Sequence, residues 1–212
     1  MTMPAQPIRL YRHALSGHAH RVELFLSLLG LPCELIDVDM VRGAHKTPEF
    51  IAMNNPFGQV PVIEDGDIAI ADSNAILVYL ATRYDPAGRW LPRDAEQAAR
   101  VQQWLSVAAG QLAYGPAAAR AAVLFGARLD LDRARAISRQ LFEVLNKELA
   151  KRPYLAGDTP TIADVALYSY AGVAPEGGVP LEPYGHVRAW LARIEALPGF
   201  VPMRRSEPPA LA

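Results

Sequence analysis

Apolar residues recur along this chain in two rhythms, and the change between them divides it. Up to Tyr84, short strand-like runs alternate with helical periods. Ile8–Tyr11 (IRLY) reads as a strand. Val22, Phe25, Leu26, Leu28 and Leu29 then recur at helical spacing from Gly17 onward, and Gly30 supplies a natural stop. Cys33–Asp39 (CELIDVD) is a strand with β-branched residues. Thr47 caps a short helix that starts on Pro48. Val60–Ala71 is two apolar runs joined at Asp65–Gly66, the pattern of a hairpin, and the stretch from Asp72 to Tyr84 returns to helical period. The predicted order is βαβ, then α, then ββα.

Beyond Tyr84 the strand rhythm stops. DPAGRWLPRD is rich in proline and glycine and reads as a linker. Only helices follow. One runs from Asp94 to about Tyr114, where Gly115–Pro116 is expected to kink or stop it, and helix resumes through Phe125. Others cover Leu131–Lys151, Thr161–Ala174 and His186–Leu197, and the tail from Arg204 is expected to be loose. Thr161 with Asp164 three residues on forms a capping box, and the nearly all-apolar residues after it predict a buried central helix. The domains expected are therefore 1–84, α/β, and 94–212, all-α, joined by a linker at 85–93.

Composition narrows the function classes. The chain has 212 residues and a formal net charge of −1. Six Lys and Arg stand against nine Asp and Glu up to Arg83, and fifteen against thirteen after it. Neither part looks like a binder of nucleic acid or of an anionic membrane. The single cysteine, Cys33, cannot form an internal disulfide and is expected to be a buried strand residue. No metal site is expected: His13, His18 and His20 lack metal-ligand spacing. The opening MTMPAQPIRL has no apolar signal core and no apolar run could span a bilayer, so a cytoplasmic location is expected.

Three places could carry chemistry. Val60–Pro61 stands at the mouth of a strand. It either starts that strand or, if cis, turns the Val60 backbone outward to pair with an extended peptide. Asp72 and Ser73 lie where a strand gives way to a helix. They either cap that helix or hold the α-amino-acid end of a small peptide, Asp72 taking the ammonium and Ser73 the carboxylate. Ser16 precedes the helix that begins at Gly17. A hydrolase serine would need a base and an orienting acid, and there is no G-x-S-x-G elbow. Ser16 is then a helix cap, or a donor to a group the chain does not contain.

LYRHALSGHAHRV, NPFGQVPV, DSNAI and TIADVALY occur in an order and spacing that resemble the cytosolic glutathione transferases over essentially the whole length. That resemblance implies a thioredoxin-like domain that binds glutathione, followed by a helical domain that supplies most of a hydrophobic co-substrate pocket. It also implies a homodimer and a role in detoxification. Ser16 matches the catalytic serine of the serine-type classes, with Tyr11 near the position of the tyrosine used by others. Val60 and Pro61 match the residues beside the cysteinyl unit, and Asp72 and Ser73 those at the γ-glutamyl end. Gln59, Lys46 and His45 fall near the glycyl carboxylate. His18 stands where many relatives carry Asn or Cys.

The proposed chemistry is activation of the glutathione thiol, which is then the nucleophile toward a hydrophobic electrophile. Trp104, Ala108 and Gln111 share a helix face that continues to Tyr114, and with His13 and Leu15 they are the expected lining of the co-substrate pocket. Trp104 suits plain interdomain packing equally well. Phe57 either inserts into a partner subunit or packs within the monomer. Rival functions on the same resemblance are a glutathione-dependent isomerase, a disulfide reductase or peroxidase, and a non-catalytic glutathione-binding module.

Overall fold

Ile8 and Leu10 are fully buried while Arg9 between them is exposed, and that alternation sets β1 (Ile8–Arg12) at the centre of a sheet. The computed structural model describes residues 3–206 except residue 54. β1 pairs in parallel with β2 (Cys33–Asp37), Leu10 opposite Leu35, and antiparallel with β3 (Val62–Asp65), Leu10 opposite Ile63. β4 (Ile68–Ala71) closes the hairpin with Asp65 opposite Ile68, leaving Gly66 (φ 60°) and Asp67 as its turn. The strand order is β2-β1-β3-β4. A parallel pair needs a crossover, and α1 (Gly17–Leu28) supplies it, ended by Gly30 at φ 64°.

The period-2 pattern sends alternate side chains to two cores. Leu10 and Ile63 face α1 and α3 (Ser73–Tyr84), where Phe25, Ile76 and Leu80 are fully buried. Tyr11 and Val62 face the other way, onto Phe50 of α2 (Pro48–Ala52). Cys33, expected to be buried, is half-buried because β2 is the sheet's edge strand. Its thiol is pushed up to about 11, chiefly by burial and then by Glu23.

Residues 85–93 carry no regular element but are pinned. Asp85 accepts from the Trp90 amide at 2.7 Å, and Trp90 meets the Phe25 ring edge-on at 5.3 Å. Helices follow: α4 (Ala95–Val107), α5 (Ala118–Phe125), α6 (Leu131–Leu149), α7 (Ile162–Gly172) and α8 (Gly185–Glu195). The tail expected to be loose lies outside the described residues from 207 on.

Of the kink or stop expected at Gly115–Pro116, the stop does not occur. Ala108–Ala117 is a π-helical segment, and the chain stays helical from α4 to the end of α5. Its i→i+5 pattern widens the turn and takes in a proline that lacks an N–H. Gly115 lies hard against α6, since a Cβ there would stand 3.1 Å from Ile137 and Ser138.

α7 is buried over nearly all its length, and Asp164 organises its start. One carboxylate oxygen accepts from the Leu155 amide and from Trp190 Nε1, both at 2.9 Å. The other accepts from the Thr161 amide at 2.9 Å and the Thr161 hydroxyl at 3.2 Å.

α7 packs on α1 through His20, whose ring bonds Ser169 Oγ at 2.8 Å and the Val201 carbonyl at 3.0 Å. Burial pushes His20 down to about 4 from an ordinary 6.5, partly opposed by the bond to Val201. Below the ordinary value the unfolded chain takes up a proton that the folded chain refuses. Stability therefore falls as pH drops through this window, by up to about 3 kcal/mol at its acid end. His20→Gln is expected to flatten the acid limb of melting temperature against pH. An unchanged slope would place that limb's origin elsewhere.

Candidate active site

Two cavities meet at the ends of β1 and β3, and His18, Gln59 and Val60 line both. The larger, about 670 Å³, lies between the loops of the sheet half and helices α5 and α7. The smaller, about 480 Å³, reaches Asp72 and Ser73. They adjoin through those three residues as one cleft with two arms, the polar arm carrying Asp72 and Ser73 and the apolar arm carrying Leu15, Val41 and Phe125.

Ser16 lines the apolar arm and caps α1. Its Oγ accepts from the Ala19 amide at 3.3 Å, and its own amide bonds back to the His13 carbonyl at 2.8 Å. Capping uses the lone pairs of the hydroxyl and leaves its proton free to donate. The helix dipole adds positive potential at the same point. Gly17 follows because nothing larger fits: a Cβ would lie 2.7 Å from the Tyr170 ring of α7. Tyr170 also takes the His18 ring edge-on at 5.0 Å. Burial, then Arg21, holds His18 down at about 3, so its imidazole is neutral throughout the physiological range.

The polar arm is built on a strained turn. Asp72 has φ 73°, a backbone region that non-glycine residues seldom occupy, and its carboxylate accepts from the Ala75 amide at 2.9 Å. Ser73 is buried and accepts from Arg21 Nη1 at 3.2 Å, while Asn74 Oδ1 takes the same nitrogen at 2.9 Å. Arg21 is fully buried, with Nε and Nη2 unpartnered among the described residues. Burial lowers it to about 10, against the pull of Tyr170 and Asp72. It remains a cation behind Ser73. Sequence reasoning passed over Arg21, although an arginine between His20 and Val22, directly before the apolar run of α1, was the available signal.

The junction of the arms at Gln59 and Val60 is equally determined. The Val60–Pro61 peptide is cis. Asn55 holds the turn before it by donating to the Gln59 carbonyl at 2.7 Å and accepting the Gln59 amide at 3.2 Å. Gly58 (φ 54°) lets the chain pass His45, whose carbonyl would stand 2.5 Å from a Cβ there. Lys46 enters the cleft wall with Nζ donating to the Phe57 carbonyl at 2.7 Å.

Of the residues expected at the site, the cleft brings together His13, Leu15, Ser16, His18, Lys46, Gln59, Val60, Pro61, Asp72 and Ser73. Tyr11 is not among them. It lies on the α2 face of the sheet, its hydroxyl donating to Glu64 at 2.8 Å and its ring against Phe50. Trp104, Ala108, Gln111 and Tyr114 are not in the cleft either. Trp104 and Gln111 line a separate groove against α6, Ala108 is fully buried and Tyr114 is 69% exposed. The helical wall is instead Ala117, Arg120, Ala121 and Phe125, with Tyr170. Trp104 and Ala108 face the core cluster, so the face they define is a packing face. The apolar mouth is set by Val41, 96% exposed, and by Phe125, whose ring meets His13 edge-on at 6.3 Å.

Among the described residues no cluster of His, Cys, Asp and Glu could hold a metal ion, and no helix is long and apolar enough to cross a membrane.

Comparison with known proteins agrees with this geometry. The family model "Glutathione S-transferase, N-terminal domain" matches residues 6–82, and "Glutathione S-transferase, C-terminal domain" matches 103–198. Glutathione S-transferase 3 of Zea mays is 37% identical over 209 residues, covering 92% of this chain and 91% of the maize protein. Glutathione S-transferase theta-2 of Homo sapiens is 32% identical, covering 91% and 82%. The crystal structure of a glutathione S-transferase from Pseudomonas fluorescens superposes with a TM-score of 0.87 at 34% identity, covering 93% of this chain and 99% of that one.

Proposed function

This chain belongs to the glutathione S-transferase family, and from that we propose that it transfers glutathione, as the thiolate, to a hydrophobic electrophile, with Ser16 holding the sulfur. The observation that carries this is Ser16 in the wall of the apolar arm: a hydroxyl that caps α1 through its oxygen, two residues before His18, where that arm joins the one holding Asp72 and Ser73.

In the polar arm Asp72 receives the γ-glutamyl ammonium, and Ser73, backed by Arg21, its carboxylate. The Val60 backbone beside Pro61 pairs with the cysteinyl unit. Gln59 and Lys46 face the glycyl carboxylate. A free thiol has a pKa of about 8.5, so little of it is ionised at neutral pH. Ser16 O–H donation and the α1 dipole both favour the charged form. The thiol proton leaves to solvent. The sulfur lone pair then forms a bond to the electrophilic carbon, and a leaving group such as chloride departs with its bonding electrons. Ser16 forms no covalent bond. Leu15, Val41, Ala121 and Phe125 hold the electrophile by apolar contact.

Residues 1–84 form the glutathione domain and 94–212 the helical domain on this proposal. The enzyme acts in the cytoplasm as a detoxifying homodimer, supported by Phe57, 76% exposed beside the polar arm. The test is calorimetric titration with glutathione, together with turnover of chlorodinitrobenzene, on a sample whose mass is read by light scattering. Saturable glutathione binding, conjugate formation and a dimer mass are expected. No binding at millimolar glutathione would sink the proposal, and a monomer mass would remove the dimer.

A further inference from the structure

Arg120 of α5 is 2% exposed yet stands in the wall of the apolar arm. Its Nη1 donates to the Leu15 carbonyl at 2.6 Å, and its Nε donates to Glu176 at 2.7 Å. Leu15 is the residue before Ser16, so a side chain from the helical half grips the loop that presents the hydroxyl. Glu176 is held in turn by Ser206 Oγ at 2.9 Å. Gly177 brings this corner onto the α5 backbone, since a Cβ there would lie 2.7 Å from the Arg120 nitrogen.

The form of the ion pair is informative. Arginine and a carboxylate bind most strongly as a two-pronged fork. Here the pair makes one bond, and Arg120 Nη2 and Glu176 Oε1 are left buried without partners among the described residues. Nε and Nη2 form the edge of the guanidinium that faces Glu176, and Nη1 on its other edge is given to the Leu15 carbonyl, so the ion pair anchors the side chain while a separate donor holds the loop. Glu176 also neutralises the guanidinium, so its effect on the cleft is geometric more than electrostatic. The other titratable groups around the loop are His13, His18, His45, Lys46 and Tyr170, and none of them hydrogen-bonds the Leu15 carbonyl.

We propose that Arg120 is a positioning residue for Ser16: by holding the Leu15 carbonyl it fixes the hydroxyl at the distance at which donation to the glutathione sulfur takes effect. This rests on the role given to Ser16 above. Hydrogen-bond donation is steep in distance and angle, and misplacement by an ångström in a site can cost orders of magnitude in rate.

The test titrates the ultraviolet thiolate band of bound glutathione against pH, which needs no electrophile. Arg120→Met is expected to raise the bound thiol pKa by about one unit and lower kcat about tenfold, with the glutathione KM changed less than about twofold. Glu176→Gln removes the neutralising charge but keeps the Leu15 bond, so it should leave the thiol pKa unchanged or lower it, and not raise it. An unshifted pKa in Arg120→Met would overturn the inference, and so would an equal rise in Glu176→Gln. Should Arg120→Met fail to fold, Arg120→Lys decides: one ammonium shared between Glu176 and the carbonyl grips more loosely, and no rise would overturn the inference. A wild-type protein with no thiolate band when glutathione binds would instead remove the role of Ser16 itself.

Discussion

Ser16→Ala is expected to slow conjugation about 100-fold in kcat, while glutathione affinity stays within about threefold. The asymmetry follows from the cleft. On the proposed binding mode most contacts to glutathione lie along the polar arm, at Asp72, Ser73, Gln59 and Val60, and survive the substitution. What is lost is one donor aimed at charge that exists only once the thiol is ionised. Ser16 is also the cap of α1, accepting from the Ala19 amide, so alanine costs about 1 kcal/mol of stability as well. Two further variants separate the effects. Ser16→Asp keeps the cap but replaces the donor with a negative charge, and should be folded and inactive. Ser16→Thr keeps both and should retain most activity. Steady-state kinetics with glutathione varied, beside melting curves, would check this. An active, well-folded Ser16→Ala enzyme would sink the serine mechanism. It would leave no substitute in Tyr11, whose hydroxyl is engaged with Glu64 on the other face of the sheet.

Asp164→Ala is expected to destabilise the protein by about 3 kcal/mol or more, a fall of about 10 °C in melting temperature for a chain of this size. Four donors converge on this carboxylate from Leu155, Thr161 and Trp190. Truncation leaves them buried without an acceptor. Burial raises the Asp164 pKa, and the hydrogen bonds oppose that shift. The group binds the start of α7 to the chain before it and to α8, and α7 packs against α1, behind Ser16. Denaturant unfolding followed by tryptophan fluorescence would measure the loss. A change below about 1 kcal/mol would mean that the network is not worth its four bonds.

How much of this was legible beforehand differs by element. The ββα hairpin, the capping box at Thr161 and Asp164, and the Ser16, Thr47 and Asp72 caps follow from local rules. The cleft residues of the sheet half were also accessible, because loops and helix starts keep their residues together in sequence. The helical wall was not. Its face was read from Trp104 and Ala108, which share the core cluster, while Arg120 and Phe125 further along line the cleft. Pro116 was expected to kink or stop the helix because a proline says only that an ordinary turn fails. It does not say what replaces it.

The sequence by itself determined the order of elements, the change from mixed sheet to helices after Tyr84, and the placing of Ser16, Asp72 and Ser73 at helix starts. Those depend on periodicity, capping and turn residues, which act over a few positions along the chain. Only the tertiary structure decided which side chains close the cleft from across it. Arg120 on the Leu15 carbonyl, Tyr170 over Gly17 and Arg21 behind Ser73 are contacts between residues far apart in the chain. Local rules carry no information about such meetings, because packing and the burial of charge are settled only when the whole core closes.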